Sequence, residues 1–307
     1  MEVLRNGAVA GEALRGGAVA IGNFDGVHVG HQAVIGAAVR WARARGRAAI
    51  VATFDPHPSR FFRPEAPPFA LTSLEQKLRH CAALGAHAAL VIPFDAALAA
   101  LPPDAFVARW LVDGLAPSHL VTGMDFHFGH RRAGNTATLS ALGARFGYST
   151  EALAAVEAEG APVSSTRVRE ALQAGDTSLV TRLLTRPFAI EGEVIHGDKR
   201  GRTIGVPTAN MELGAYLRPR FGVYAVRVRL PDGSRRDGVA NLGIRPMFEP
   251  PKLLLETWIL DWEGDLYGRT IEVELIAFLR DERKLDGLAA LKAQIAEDTR
   301  AARAALA

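Results

Sequence analysis

The sequence predicts a two-domain α/β protein: a parallel, doubly wound sheet over residues 1–184, then a small antiparallel β-barrel with a C-terminal helix over residues 185–307. Three observations predict it. The first half alternates short apolar runs with Ala/Leu-rich segments of helical period, the pattern of strand–helix–strand units. The second half replaces that alternation with strand after strand, separated by turn residues. The texture changes at Thr185-Arg186-Pro187, and 307 residues suit two ordinary domains.

In the first half the expected strands are Ala18–Gly22, Ala48–Phe54, Ala88–Phe94 and His119–Gly123, with a fifth near Thr150–Val156. Gln32–Arg45, Ser73–Leu84, Asp104–Leu111 and Thr136–Phe146 carry apolar residues at helical spacing. Gly175-Asp176 breaks one more helix and starts another that runs to Leu184. In the second half Phe188–Ile195 is a strand. Tyr224, Val226, Val228 and Leu230 alternate with Ala225, Arg227 and Arg229 before a Pro231-Asp232-Gly233 turn. Leu254, Glu256, Trp258 and Leu260 share one strand face, and Ile271, Val273 and Leu275 share another. Asp286–Leu306 is a closing helix, apolar at Leu288, Leu291 and Ile295.

Composition narrows the class. Hydrophobic residues at 49% and charged residues at 22% indicate a globular chain with ample core. A formal charge of +3 is too small to imply nucleic acid. Basic residues gather locally instead, at Lys199-Arg200-Gly201-Arg202 and at Arg131-Arg132, and such clusters fit small anions as well as they fit a duplex. Cys81 is the only cysteine, so an intrachain disulfide and a Cys-based zinc site are excluded. The stretch Met1–Gly17 is broken by charges, and no run approaches the ~18 apolar residues of a membrane span. The expected protein is cytoplasmic, a monomer or weak homo-oligomer, with neither a membrane nor a nucleic-acid partner.

Polar stretches fall at the carboxyl ends of the expected strands, where such sheets bind ligands. Gly22-x-Phe24-Asp25-Gly26-x-His28-x-Gly30-His31 follows the first. It reads as a turn entering a helix, whose free N–H groups and two nearby imidazoles suit a polyphosphate. His28-x-x-His31 also fits a metal pair or two surface histidines. Thr53-Phe54-Asp55-Pro56-His57-Pro58 follows the second strand, and Gly123–Gly129, containing Asp125, the fourth. Ser164-Ser165-Thr166-Arg167-Val168-Arg169 follows the fifth. Its hydroxyls suit phosphate, with Arg169 one turn in, and equally suit a helix N-cap. Neither a P-loop nor a G-x-G-x-x-G pattern occurs. In the second half, the loop His196–Asn210 offers Gly197, Gly201 and Gly205 for close backbone approach. Lys199, Arg200 and Arg202 supply charge there. Thr208 and Asn210 supply hard oxygens suited to a nucleotide-bound Mg2+. A flexible basic loop followed by a polar turn fits the same residues.

The stretch from Gly22 to His31 resembles the H-x-G-H signature of the nucleotidylyltransferase superfamily. In its longer form it resembles the adenylyltransferase half of bacterial bifunctional riboflavin kinase/FAD synthetases. Thr53–Pro58, Gly123–Gly129 and Ser164–Arg169 are similar to further motifs of that half. Gly205-Val206-Pro207-Thr208-Ala209-Asn210 resembles the riboflavin kinase signature. That likeness continues through Gly222–Tyr224, Gly238–Pro246, Asp265–Gly268 and Leu279–Lys284. Four positions depart from the usual pattern: Asp55 for glutamate, His127 for a basic or small polar residue, Met247 for threonine and Trp258 for histidine.

The resemblance implies a Rossmann-like nucleotidylyltransferase domain at 1–184 and a riboflavin kinase barrel at 185–307. The barrel would make FMN from riboflavin and ATP. The first domain would make FAD and pyrophosphate from FMN and a second ATP, with Mg2+ and without a covalent intermediate. Glu256 would accept the proton of the ribityl hydroxyl, because a primary alcohol is a poor nucleophile. His28, His31, Ser164 and Arg169 would act at the α-phosphate and the leaving pyrophosphate. Gly22, Phe24, Asp25, Gly26, His57, Asp125, Ser165 and Thr166 would complete that nucleotide site. Gly197, Lys199, Arg200, Gly201, Arg202, Gly205 and Pro207 would form the kinase's nucleotide site, and Thr208 and Asn210 would hold the metal. Two other readings use the same residues. One is a different nucleotidylyltransferase with an accessory barrel. The other is a barrel that binds nucleic acid or senses flavin without chemistry, although the basic loops lack the interleaved aromatics of a single-strand platform.

Overall fold

Short apolar runs become strands and the Ala-rich segments between them become helices. The computed structural model describes the whole chain except Asn6, residues 197–204 and 246–251, Leu285 and the side chain of Arg245. Gly197, Lys199, Arg200, Gly201, Arg202 and Met247 therefore lie outside the described residues. Two units are present: Met1–Ala66 with Leu74–Ser164, and Pro67–Ser73 with Ser165–Ala307.

The first unit runs β1 (Glu2–Arg5), β2 (Ala18–Ile21), α1 (Val29–Arg43), β3 (Ala49–Asp55), α2 (Pro58–Phe62), α3 (Leu74–Ala83), β4 (Ala88–Pro93), α4 (Ala96–Ala99), α5 (Pro103–Phe106), α6 (Asp113–Leu115), β5 (His119–Gly123), α7 (Thr136–Phe146) and β6 (Ser149–Leu153). A small hairpin follows, β7 (Glu157–Ala158) with β8 (Ala161–Pro162). The main sheet has the order β1-β4-β3-β2-β5-β6, and every pairing is parallel. Buried on both faces, β3 is an unbroken apolar run up to Thr53 and Phe54. Its two-residue period sends Ile50, Ala52 and Phe54 into one core with Trp110 and Leu139. Ala49 and Val51 face the other core, with Val34, Ile35 and Cys81.

Three details differ from the sequence expectation. Strand β1 was not expected: of its four residues only Leu4 is buried, so it carries no alternation to read. The helix expected at Asp104–Leu111 is instead α5, a π-helical stretch Val107–Val112, and α6. Helix α1 starts at Val29 rather than Gln32, because His28 caps it.

The second unit runs α8 (Ser165–Ala174), α9 (Thr177–Leu184), β9 (Phe188–Glu193), β10 (Ala209–Glu212), β11 (Gly222–Arg229), β12 (Arg235–Arg245), β13 (Lys252–Ile259), β14 (Thr270–Arg280) and α10 (Gly287–Leu306). Its sheet is antiparallel in the order β10-β13-β12-β11-β14-β9. A bridge from Ile195, just past β9, to Asn210 on β10 joins the two ends, so the sheet closes on itself. Helix α10 packs Ala302 and Leu306 on Ala225, which is therefore buried rather than outward-facing, while Leu288 is exposed. The division between units falls at Ser164/Ser165, ahead of the texture change at Thr185. Helix α9 lies on β14 and β9 and buries Val180, Leu183 and Leu184. The segment Pro67–Ser73 also belongs to this unit. Ala70 donates its N–H to the Ala215 carbonyl at 3.0 Å and accepts from Leu217 N–H at 2.8 Å.

Candidate active sites

In the first unit the chain leaves β2 and turns sharply. Phe24, Gly26 and Val27 all have positive φ, at 50°, 83° and 43°. The turn folds Phe24 beneath itself, 1% exposed, with the ring 3.1 Å from where a Gly22 side chain would begin. His28 then caps α1, its Nδ1 accepting the His31 N–H at 3.3 Å. An accepting Nδ1 places the proton of the neutral ring on Nε2. The His28 and His31 rings stack, centroids 3.6 Å apart, and the Phe24 ring meets His31 edge-on at 5.3 Å. Gly30 makes the stack possible, since a Cβ there would lie 3.2 Å from the His28 ring. The first turn of α1 carries no acidic residue, so its positive dipole end is not offset locally.

The expected loops after β3 and β5 sit at the same edge of the sheet. After β3, His57 caps α2 and its Nδ1 accepts the Ser59 N–H at 3.1 Å. After β5, the exposed Asp125 leaves no room for a side chain at Gly123, and its carbonyl accepts from His127 Nδ1 at 2.8 Å. The Val163 carbonyl, next to Ser164, lies 3.8 Å from the Cβ position of Gly30 at the start of α1. Ser165 and Thr166 open α8 in the second unit. Arg169, one turn on, donates from Nε to the Phe69 carbonyl at 2.9 Å and covers the Phe69 ring.

In the second unit, register does what sequence spacing does not reveal. Asn210 on β10 and Asn241 on β12 both pair with Glu256 on β13, from opposite sides. Asn210 is buried and donates its side-chain N–H to the Thr208 carbonyl at 3.3 Å, so that bond does not use its amide oxygen. Two cavities meet here. One, of about 250 Å³, holds Glu256 and Asn241, with Val223, Trp258, Leu291 and Ile295 as apolar walls and Arg280 and Asp298 at its polar end. The other, of about 480 Å³, is lined by Trp262, Asp265 and Tyr267, with Pro207 at one side. Thr208 lines both. The His196 ring packs on Tyr267 at 3.9 Å. Arg280 and Asp298 form a two-bond ion pair, Nε–Oδ1 and Nη2–Oδ2 both 2.7 Å, and the Asp298 carboxylate raises the Arg280 pKa above its ordinary value. Asn241, Arg280, Asp298 and Trp262 were not expected from the sequence. The signals were the Gly238–Pro246 and Leu279–Lys284 stretches, noted only for their resemblance, which contain Asn241 and Arg280.

A parallel sheet with a histidine-capped helix at its carboxyl edge, followed by a closed barrel with two cavities across one threonine, defines a two-centre nucleotide-dependent transferase. Family models for FAD synthetase and riboflavin kinase match residues 11–167 and 184–306. The bifunctional riboflavin kinase/FMN adenylyltransferase of Pseudomonas fluorescens is 44% identical over 94% of this chain and 93% of its own. Those of Haemophilus influenzae and Escherichia coli K12 are 38% and 41% identical, over 99% and 92% of this chain and 99% and 90% of theirs. A crystal structure described as a macrolide-efflux protein from Streptococcus pneumoniae superposes with a TM-score of 0.88 at 28% identity, covering 99% of both chains. In this chain, no described helix is long and apolar enough to cross a membrane. The chain belongs to the bifunctional riboflavin kinase/FMN adenylyltransferases. Its first region is the FAD synthetase and its second the riboflavin kinase, so it converts riboflavin to FMN and FMN to FAD.

Proposed function

We propose how the residues divide this work. The observation that carries the reading is Thr208, which lines two cavities at once beside the Asn210–Glu256 pair. Riboflavin occupies the cavity with apolar walls, its ribityl 5′-hydroxyl toward Glu256. ATP occupies the cavity of Trp262 and Tyr267, its γ-phosphate toward Thr208. Glu256 accepts the hydroxyl proton as the oxygen attacks phosphorus, and ADP leaves. Gly205 and Pro207 frame the triphosphate. The Thr208 oxygens and the Asn210 amide oxygen fit Mg2+, a hard cation that takes oxygen ligands and keeps several waters. When bound, it neutralises charge on the phosphates.

In the first unit the FMN phosphate is already a nucleophile, so the chain aligns and stabilises rather than deprotonates. His28 and His31 present ring N–H groups beside the N-terminal end of α1, and the leaving pyrophosphate takes up that positive dipole field. The stacked rings, with His28 Nδ1 already accepting from backbone, favour two hydrogen-bond donors over a metal pair. Gly22, Phe24, Asp25 and Gly26 shape the turn. His57 and Asp125 flank the nucleotide, and Ser164, Ser165, Thr166 and Arg169 approach its phosphates. We assign residues 1–184 to adenylyl transfer and 185–307 to the kinase. The enzyme works in the cytoplasm as a monomer or weak homo-oligomer, without nucleic acid or membrane.

The test is chromatography of the protein with riboflavin, ATP and Mg2+. Glu256→Gln lowers FMN formation by ~10²–10⁴-fold and leaves FMN-to-FAD conversion near wild type. His28→Ala with His31→Ala abolishes FAD formation while FMN accumulates. Kinase activity within a few-fold of wild type in E256Q removes Glu256 from its role.

A further inference from the structure

Lys77 is out of place for a surface residue. It lies on α3, one helical turn before the fully buried Cys81, on the stripe that packs against the sheet, and it is only 6% exposed. An apolar residue suits that position, because an ammonium loses its hydration on burial. Its Nζ donates to the Thr53 hydroxyl at 3.4 Å. Thr53 is itself fully buried near the carboxyl end of β3, on the face that continues Ala49 and Val51. The Thr53 hydroxyl in turn donates to the Asn23 carbonyl at 3.0 Å. Asn23 sits at the start of the turn in which Phe24, Gly26 and Val27 all have positive φ. Burial lowers the Lys77 pKa below its ordinary value, and Asp25, 4% exposed, acts most strongly the other way, with Cys81 and Asp55 behind it.

We propose that Lys77 is a positioning residue for adenylyl transfer: its buried ammonium, acting through the Thr53 hydroxyl and the Asn23 carbonyl, holds the Gly22–Gly26 turn in the geometry that presents His28 and the α1 amides to the nucleotide phosphates. The inference rests on the reading of that turn as the adenylyl site. It explains why a cation stands where core packing calls for none. A strained turn keeps its shape only when surrounding groups over-determine it, and a polar chain anchored in the core does so. The charge has a second effect. It offsets the buried Asp25 carboxylate, which would otherwise oppose an incoming polyphosphate.

The experiment uses the full chain and follows FAD formation from FMN and ATP, with riboflavin kinase activity read in the same samples as a concentration control. Lys77→Met keeps the length of the side chain and removes its charge. It lowers kcat for adenylyl transfer on the order of 10²-fold, the loss expected of a misplaced reacting group. Thr53→Val, which keeps Lys77, also lowers it. The double variant is no worse than K77M alone, because both break one chain. In Lys77→Ala, propylammonium restores turnover and 1-propanol does not. Wild-type kcat in K77M or in T53V overturns the proposal, as does an additive double variant or equal rescue by the alcohol, which would mark simple cavity filling. If K77M fails to fold, T53V alone decides. The reading of the site fails separately: H28A/H31A with intact FAD formation sinks the site, whereas loss there with a normal K77M sinks only the role of Lys77.

Discussion

Asp298→Ala probes what holds α10 over the cavity of Glu256. Asp298 is the only carboxylate the described structure shows bonded to Arg280, through two bonds of 2.7 Å. The side chains are 16% and 9% exposed, so the pair is largely but not wholly out of water. Removing a partner from a fully buried pair costs ~3–5 kcal/mol, because the remaining charge is stranded. Here Arg280 keeps a bond to the Asp281 carbonyl at 2.9 Å and some solvent contact, which lowers the expected loss to about 2–4 kcal/mol. For a unit of this size that is a fall in melting temperature of about 5–15 °C. Gln294 also loses its 3.0 Å bond to Asp298, which loosens the adjoining turn of α10. Asp261→Ala is the control. Its partner Arg303 is just as close, at 2.8 Å, but the side chains are 73% and 52% exposed, so the loss is at most ~1 kcal/mol. Thermal unfolding with amide exchange of α10 and β14 reads both, and the KM for riboflavin should rise in D298A alone. A loss below ~0.5 kcal/mol in D298A, or an R280A/D298A cycle with coupling that small, refutes the reasoning.

Two further outcomes follow from the packing. Val180, Leu183 and Leu184 of α9 are each 1% exposed or less, so a piece beginning at Thr185 forfeits roughly 5–9 kcal/mol relative to one beginning at Ser165. That rivals the whole stability of a domain, ~5–15 kcal/mol. Circular dichroism and size exclusion should find the longer piece folded and the shorter one not, and equal melting of the two would contradict this. Burial lowers the His119 pKa below its ordinary 6.5, with Glu151 acting the other way. The folded state therefore holds the ring neutral while the unfolded chain takes up a proton. The contribution is complete above pH 6.5 and is lost as pH falls from there through the folded value. His119→Gln should flatten the decline in denaturation midpoint between neutral and mildly acid pH, and an unchanged slope would remove His119 as its source.

What could be read from the sequence was local. Gly22–His31 announces its turn, cap and helix in neighbouring residues, and β3 and β4 are apolar runs of unmistakable length. Barrel register was out of reach, because nothing in the run around Asn241 says that it pairs with Glu256. The Arg280–Asp298 pair joins a strand end to a helix 18 residues further on, and no spacing rule predicts it. Lys77 was passed over because lysine at helical spacing ordinarily faces water. Short β1 and the π-helical Val107–Val112 were missed because tertiary contacts, rather than propensity, define them.

The segment Pro67–Ser73 has a consequence for how the protein is made. It belongs to the second unit but is synthesised in the middle of the first. Its hydrogen-bond partners, Ala215 and Leu217, leave the ribosome long after it does. Leu71, 1% exposed in the finished protein, therefore waits for the rest of its unit while every strand of the parallel sheet has already been made. A nascent chain stalled before the barrel is complete would carry an apolar loop with nowhere to dock. Ribosome-bound intermediates of this enzyme should accordingly recruit chaperones until the last strands emerge.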